Sequence, residues 1–330
     1  MLMKSFIILA TFLASALLEE PVSGAELLPE TINSTLPSFS SGKTSSPVDG
    51  EKTPDPAVVN LQVLLDRAGA SPGVIDGYVG ENLSKAVAGF EAMHGLPVDG
   101  KLDPDVTARL KSNAPVAQSY KISNQDTENL VKAVPDDYGE KAKMSHLGYT
   151  SVAERLSEHF HMDIDLLKAL NPRASFTVGE TISVVMPGPA VAGEVRRFEV
   201  NARAGQIFAY GDGDALLAVF PATVGSSDTP APSGSHTVNG VVKMPTYTYN
   251  PKVNFKQGEN SGVLQIPSGP NGPVGTVWID LSKPTYGIHG TPEPSLIDKV
   301  GSHGCVRLAN WDVEELAGMV KPGVRVDFVE

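Results

Sequence analysis

Glycine and proline punctuate this chain too often for a long helical bundle: 32 glycines and 26 prolines stand among its 330 residues. Proline breaks helix interiors and glycine weakens them. The chain must therefore fold into short elements joined by turns, and its length allows two to three domains at about 150 residues each. Hydrophobic residues make up 41%, enough for a proper core. The formal net charge is −12 and no basic run occurs. An acidic chain repels phosphate backbones, which argues against a nucleic-acid partner. Cys305 is the sole cysteine, so an internal disulfide and a multi-cysteine metal cluster are excluded.

Lys4 precedes an apolar run at 5–18. That run is shorter than the roughly 20 residues of a membrane span and suits the apolar stretch of a secretory signal. Ser23 and Ala25 supply small residues before a cut at Glu26; Ala14 and Ala16 offer an earlier site, and an uncleaved anchor is the alternative. We expect a signal peptide at 1–25, export to the periplasm or cell envelope, and no stable membrane span in the mature form. Residues 26–54 are rich in Ser, Thr, Pro and Gly. With few large apolar side chains to offset ordering, they read as a flexible linker. A lone thiol in an exported chain is either buried and inert or kept for its chemistry.

Residues 55–112 read as a small helical module. Asp55-Pro56 and Asp103-Pro104 are helix starts, each an N-cap followed by proline. Leu83, Ala86, Val87, Phe90 and Met93 recur at helical spacing. Ile75-Asp76-Gly77 and Val98-Asp99-Gly100 echo each other between helices, where Asp can bond its own loop and Gly can take positive φ. This pattern resembles the peptidoglycan-binding type 1 module. In 147–187, apolar residues at 154–170 read as one helix ending at Asn171-Pro172, then a turn and a strand. The segment resembles a LysM unit, a small glycan-binding module, without the usual Gly-Asp-Thr-Leu opening. His159 and His161 lie two apart, so a single helix would aim them about 200° apart, away from one shared ion.

Residues 195–330 change character. Strand-like runs occur at 197–201, 206–210, 215–220, 263–266, 276–281 and 325–329, with a turn at 211–214 and one late helix at 311–320. The expected architecture is a multi-domain chain: a small all-α module, then a mainly β domain with one late helix.

Chemistry concentrates in Tyr286-Gly-Ile-His289-Gly290-Thr291 and Ser302-His303-Gly304-Cys305-Val306-Arg307-Leu308. A thiol becomes a strong nucleophile as the thiolate, and an imidazole can take its proton. Glycines at 290 and 304 let backbone approach a substrate, and an N–H near Cys305 could hold an oxyanion. Arg307 offers a fork for a carboxylate. The pattern fits Cys–His acyl transfer with an accessible, partly ionised thiol; a buried structural cysteine beside two turn histidines is the alternative.

IHGT followed by SHGCVRL resembles the L,D-transpeptidase catalytic domain of the YkuD type, and the resemblance extends over 195–330. The chain departs at Ala231-Pro232-Ser233-Gly234, where the family usually has Thr-Pro-x-Gly. The resemblance implies Cys305 as nucleophile and His289 as general base, with the Gly290 carbonyl orienting its ring. It implies support from His303 and Gly304, and substrate contacts from Tyr286, Ser302 and Arg307. The reaction implied is attack on the bond before a terminal D-Ala of a peptidoglycan stem peptide, then transfer of the acyl group from a thioester to an amine. That amine belongs to another stem, giving a 3→3 cross-link, or to an outer-membrane protein. Carbapenems are the implied inhibitors. No metal or cofactor is implied. Competing readings are a non-catalytic wall-binding protein, a cysteine hydrolase of the L,D-carboxypeptidase type, and a zinc amidase or peptidase using His289, His303 and Cys305, residues that form no HExxH or H-x-x-x-D pattern.

Overall fold

The computed structural model describes residues 27–35, 53–226, 228–253, 255–302 and 304–329. The expected signal peptide, most of the expected linker and His303 lie outside them.

The N-terminal half is helical. Helix α1 (Pro29–Ser34) falls inside the stretch read as linker. It is held by tertiary contacts rather than propensity: Ile32 is fully buried, and its carbonyl accepts from Asn60 Nδ2 at 2.7 Å. Helices α2 (Pro56–Arg67) and α4 (Pro104–Arg109) start as expected, with Asp55 accepting from the Ala57 N–H and Asp103 from the Val106 N–H. Between them, α3 (Glu81–Met93) buries Leu83, Ala86, Val87 and Phe90. The two Asp-Gly turns are built alike. Gly77 and Gly100 take φ of +77° and +67°. The backbone N–H groups of Asp76 and Gly77 donate to Gln62 Oε1, and those of Asp99 and Gly100 to Glu91 Oε2.

Strand β1 (Ala117–Lys121) opens a second unit with α5 (Tyr138–Lys141), α6 (Val152–His159), α7 (Ile164–Leu170) and β2 (Thr181–Val185). β1 pairs antiparallel with β2, from Ala117↔Val185 to Lys121↔Thr181. The single helix expected over 154–170 is two. Ser151 caps α6 and Asp163 caps α7. Between them the Met162 N–H turns back to the Ser157 carbonyl, and His161 takes φ +55°. His161 leaves the helix to pair with Asp66 at 3.2 Å and stack on Trp311, while His159 packs on Phe160. No group of three metal-ligating side chains occurs among the described residues. The regions read as separate, 55–112 and 147–187, share one hydrophobic core running from Ile32 to Val185.

The C-terminal half carries a nine-stranded sheet. Its strands are β3 (Arg197–Asn201), β4 (Gln206–Tyr210), β5 (Leu216–Pro221), β6 (Thr223–Val224), β7 (Gly234–Lys243), β10 (Val277–Leu281), β11 (Gly287–His289), β12 (Val306–Arg307) and β13 (Arg325–Val329). The order is β5-β4-β3-β13-β7-β10-β11-β12-β6. β8 (Tyr247–Tyr249) and β9 (Leu264–Ile266) form a separate hairpin. Helix α8 (Asn310–Met319) buries Val313 and Leu316 in the core of this half. Sequence patterning misses β7, the longest strand, because most of its residues face solvent or lie half-buried and Gly240 interrupts its alternation.

The halves dock tightly. The Ser71 N–H donates to the Val219 carbonyl at 2.9 Å and the Val219 N–H to the Gly69 carbonyl at 2.8 Å. Gly89 of α3 faces the Val219 side chain so closely that an added Cβ would sit 3.1 Å from it. Lys85 pairs with Asp298 at 2.5 Å. On another face, Asn310 Nδ2 of α8 donates to Glu158 Oε2 of α6 at 2.9 Å.

Candidate active site

Two short parallel strands bring the motif halves together. β11 pairs with β12 through Ile288↔Val306 and His289↔Arg307, and the Leu308 N–H donates to the His289 carbonyl at 3.0 Å. Gly287 therefore lies opposite Cys305, one step before the Ile288–Val306 pair. A parallel pair needs a crossover, here 290–305, and that connection carries Cys305 at its end.

His289 is 6% exposed. Its Nδ1 lies 2.7 Å from the Gly290 carbonyl oxygen. A carbonyl only accepts, so Nδ1 carries the hydrogen and Nε2 keeps its lone pair. The imidazole stacks on Trp278, with ring centroids 5.4 Å apart and planes 14° off parallel. Gly287 permits this close packing: an added Cβ would lie 2.4 Å from the Trp278 ring. Burial depresses the His289 pKa to about 4, with Arg307 acting in the same direction and the Gly290 bond opposing both. The ring is neutral at pH 7.

Cys305 is half-buried. Burial raises its thiol pKa, against a backbone hydrogen bond from Gly287 and the charge of Arg307. The thiol points at the Thr285 carbonyl at 3.9 Å. Thr285 holds φ +71°, an uncommon conformation for a β-branched residue. The resting state is thus a neutral thiol near a neutral imidazole, where the residue pattern suggested a partly ionised one.

The remaining motif residues divide by task. Gly304 takes φ +102°, and a Cβ there would approach the Tyr286 ring at 3.0 Å. Tyr286 therefore packs over the turn before Cys305. Ser302, expected at the substrate, is 3% exposed, and its hydroxyl donates to the Cys305 carbonyl at 2.5 Å. Its N–H donates to the Gly225 carbonyl, and its own carbonyl accepts from Thr229 Oγ1. Ser302 braces the loop rather than facing the cleft. Arg307 is half-buried and uses Nη2 on the Gly301 carbonyl at 2.8 Å, so part of its fork is internal.

The sequence reading missed several neighbours. Asn310 Oδ1 accepts from the Thr276 N–H at 3.1 Å, and added Cβ atoms at Gly275 or Gly290 would collide with it. It wedges behind the turn that orients His289. Trp278, one of two tryptophans in the chain, pairs with His289 in the sheet register. Tyr138 and Tyr247, from opposite halves of the chain, meet edge-on with ring centroids 6.1 Å apart. None of the four belongs to a local motif.

Residues 195–327 match the YkuD family, described as the L,D-transpeptidase catalytic domain, and residues 54–110 match the family described as "Putative peptidoglycan binding domain". The chain is 54% identical over 59 residues to "Putative L,D-transpeptidase YkuD" of Bacillus licheniformis, which covers 18% of this chain and 36% of that one. It is 26% identical over 200 residues to "Probable L,D-transpeptidase YbiS" of Escherichia coli, covering 56% and 61%. A solved structure of L,D-transpeptidase 3 from Mycobacterium tuberculosis in complex with a faropenem-derived adduct is 19% identical, covers 46% of this chain and 67% of that one, and has a TM-score of 0.34. The alignments to the two curated relatives thus span between about one third and three fifths of their length. Residues 195–327 are thus similar to the YkuD-type L,D-transpeptidase catalytic domain, and the helical region 54–110 before them to a peptidoglycan-binding family.

Proposed function

We propose that the chain is an L,D-transpeptidase acting on peptidoglycan stem peptides through a thioester on Cys305. The observation that carries this reading is the 2.7 Å contact between His289 Nδ1 and the Gly290 carbonyl. It leaves Nε2 as a buried, unprotonated base on the strand beside the cysteine. Cys305 Sγ attacks the carbonyl before the terminal D-Ala as its proton passes to His289 Nε2. The imidazolium returns that proton to the departing D-Ala amine, leaving the thioester. An acceptor amine then attacks the thioester, gives its proton to His289, and the thiol is regenerated. A neutral starting pair suits this course, because charge develops only as the bond forms. Backbone N–H groups at the Gly304 turn are candidates for the oxyanion.

The peptidoglycan-binding module supports a cell-wall location, and among the described residues no helix is long and apolar enough to cross a membrane. We place the mature protein in the periplasm or envelope on the strength of the leader-like sequence at 1–25. A second stem peptide is the acceptor we favour; a protein amine or water would make the chain an anchoring enzyme or a hydrolase. The test incubates purified chain with a stem tetrapeptide and follows D-Ala release, the intact protein mass and the peptide products. The reading expects a transient acyl adduct on Cys305 and a cross-linked dimer. Turnover retained in Cys305→Ser would refute it.

A further inference from the structure

The loop beside the Gly290 turn is held by the N-terminal half of the chain. Residues 268–276 lead into β10, the strand paired with β11. The Leu147 N–H donates to the Ser268 carbonyl at 2.9 Å, and the Leu147 carbonyl accepts from the Asn271 N–H at 3.0 Å. Buried Asn271 donates through Nδ2 to Glu154 Oε1 of α6 at 2.6 Å and to the Gly148 carbonyl at 3.0 Å. At the end of the loop the Gly275 N–H closes a turn on the Gly272 carbonyl. Gly275 then packs on Gly290 so closely that an added Cβ would collide with the Gly290 backbone.

Asn310, the first residue of α8, fills the angle between that loop and the Gly290 turn, and is 2% exposed. Its Oδ1 accepts from the Thr276 N–H at 3.1 Å, while Nδ2 donates to Glu158 Oε2 at 2.9 Å and lies 3.3 Å from the Pro270 carbonyl. One orientation of the amide satisfies all three contacts. Reversed, its NH2 would face the Thr276 N–H and its oxygen would face a carboxyl and a carbonyl. Glu158 is itself buried in α6, and its Oε2 also accepts from the Tyr149 hydroxyl at 3.2 Å. Asn310 Oδ1 is the nearest atom to a Cβ added at Gly290. The Gly290 N–H makes a long bond to the Val277 carbonyl, 3.3 Å, so the turn gains rigidity from its packing on Asn310. The Gly290 carbonyl in turn holds His289 Nδ1 at 2.7 Å. Contacts therefore run without a gap from Glu158 through Asn310 and Gly290 to the imidazole.

We propose that Asn310, fixed in orientation by Glu158 of the N-terminal half, is a positioning residue for His289: it holds the Gly290 carbonyl where that carbonyl keeps the imidazole hydrogen on Nδ1 and leaves the Nε2 lone pair free for the thiol. The proposal rests on His289 being the base of the transpeptidase reading. A neutral imidazole released from such a bond carries its hydrogen mainly on Nε2, which then has no lone pair to offer. The test takes two readouts on the full chain. One is kcat and KM for D-alanine release from a stem tetrapeptide. The other is the His289 tautomer, from nitrogen NMR of histidine-labelled protein, with the signals identified by their loss in His289→Ala. Asn310→Ala should lower kcat about 10- to 100-fold with KM within about twofold, and His289 should move from Nδ1–H toward Nε2–H. Glu158→Leu should lower kcat about fivefold, the worth of about one hydrogen bond, with a smaller tautomer shift in the same direction. Glu158→Gln, which keeps an oxygen for Asn310 Nδ2, should recover most of both losses. The proposal fails if a folded Asn310→Ala or Glu158→Leu keeps the parent's kcat and tautomer. It also fails if kcat falls while His289 stays Nδ1–H, the result expected of side chains that only add stability. If Asn310→Ala does not fold, Glu158→Leu decides alone. No turnover by the unaltered chain would instead overturn the transpeptidase reading, and the tautomer shift, which needs no substrate, would still decide this proposal.

Discussion

Glu158→Gln should stabilise this protein at alkaline pH and leave it unchanged in acid. Glu158 lies at the contact of α6 with α8, 8% exposed, where Oε2 accepts from Asn310 Nδ2 at 2.9 Å and from the Tyr149 hydroxyl at 3.2 Å. Burial raises its pKa from 4.5 to about 7; the two hydrogen bonds oppose this, and Glu154 and Glu314 add to it. Below 4.5 the carboxyl is protonated in folded and unfolded chains alike. As pH rises through this window, the unfolded chain releases its proton while the folded chain keeps it, and stability falls. Above about 7 the loss is complete, worth about 3 kcal/mol for a displacement from 4.5 to about 7. Glutamine keeps an oxygen for both donors and never ionises. Urea unfolding at pH 8 should therefore favour the variant by up to about 3 kcal/mol, and at pH 4 the two should agree within about 0.5 kcal/mol. Buried Asp312, whose pKa is also raised, is present in both proteins and cancels. A variant no more stable than the parent at pH 8, or equally favoured at both pH values, would refute the reasoning.

Removal of the base should be far more costly than removal of a surface histidine. His289→Ala should lower kcat by about 10²–10⁴-fold, while His236→Ala, which loses a contact with the Ser233 carbonyl and an edge-on contact with Phe328, should be near neutral. Because the His289 pKa lies near 4, kcat/KM should hold through mildly acidic pH and fall only as the ring protonates near pH 4. Without substrate, iodoacetamide should label Cys305 more slowly at pH 7 than it labels free cysteine, and faster as pH rises, since burial holds the thiol protonated. Mass spectrometry should find carbapenem acylation on the same sulfur, blocked by prior alkylation and absent in Cys305→Ser. Gly287→Ala should disturb the Trp278–His289 stack, because the new methyl would lie 2.4 Å from the indole; unchanged activity would show that the stack does not position the base.

What could be read from the residues follows the range of the forces involved. Helix starts are local, since Asp55 and Asp103 cap with their own side chains, and both were legible. The motif spells out both strands of one parallel pair, because β11 and β12 are joined directly by 290–305. The misreadings arise where distant residues decide. Ile32 and Asn33 fold part of an apparent linker by contacts with Asn60 and β1. The 154–170 helix breaks where His161 turns out to meet Asp66 and Trp311, 95 and 150 positions away. Ser302 reads as a substrate contact from its motif, yet its burial is set by Gly225 and Thr229, which no spacing rule connects to it. The same logic explains the docking of the segment around α5. Tyr138 sits more than 100 residues before the hairpin it packs on and carries no motif of its own. It meets the C-terminal half because the segment between β8 and β9 offers Gln257 to its backbone and Asn260 to Asp137, the α5 cap. The Cys–His motif is therefore encoded within one short stretch, while the contacts between the two halves are made by residues far apart in the chain.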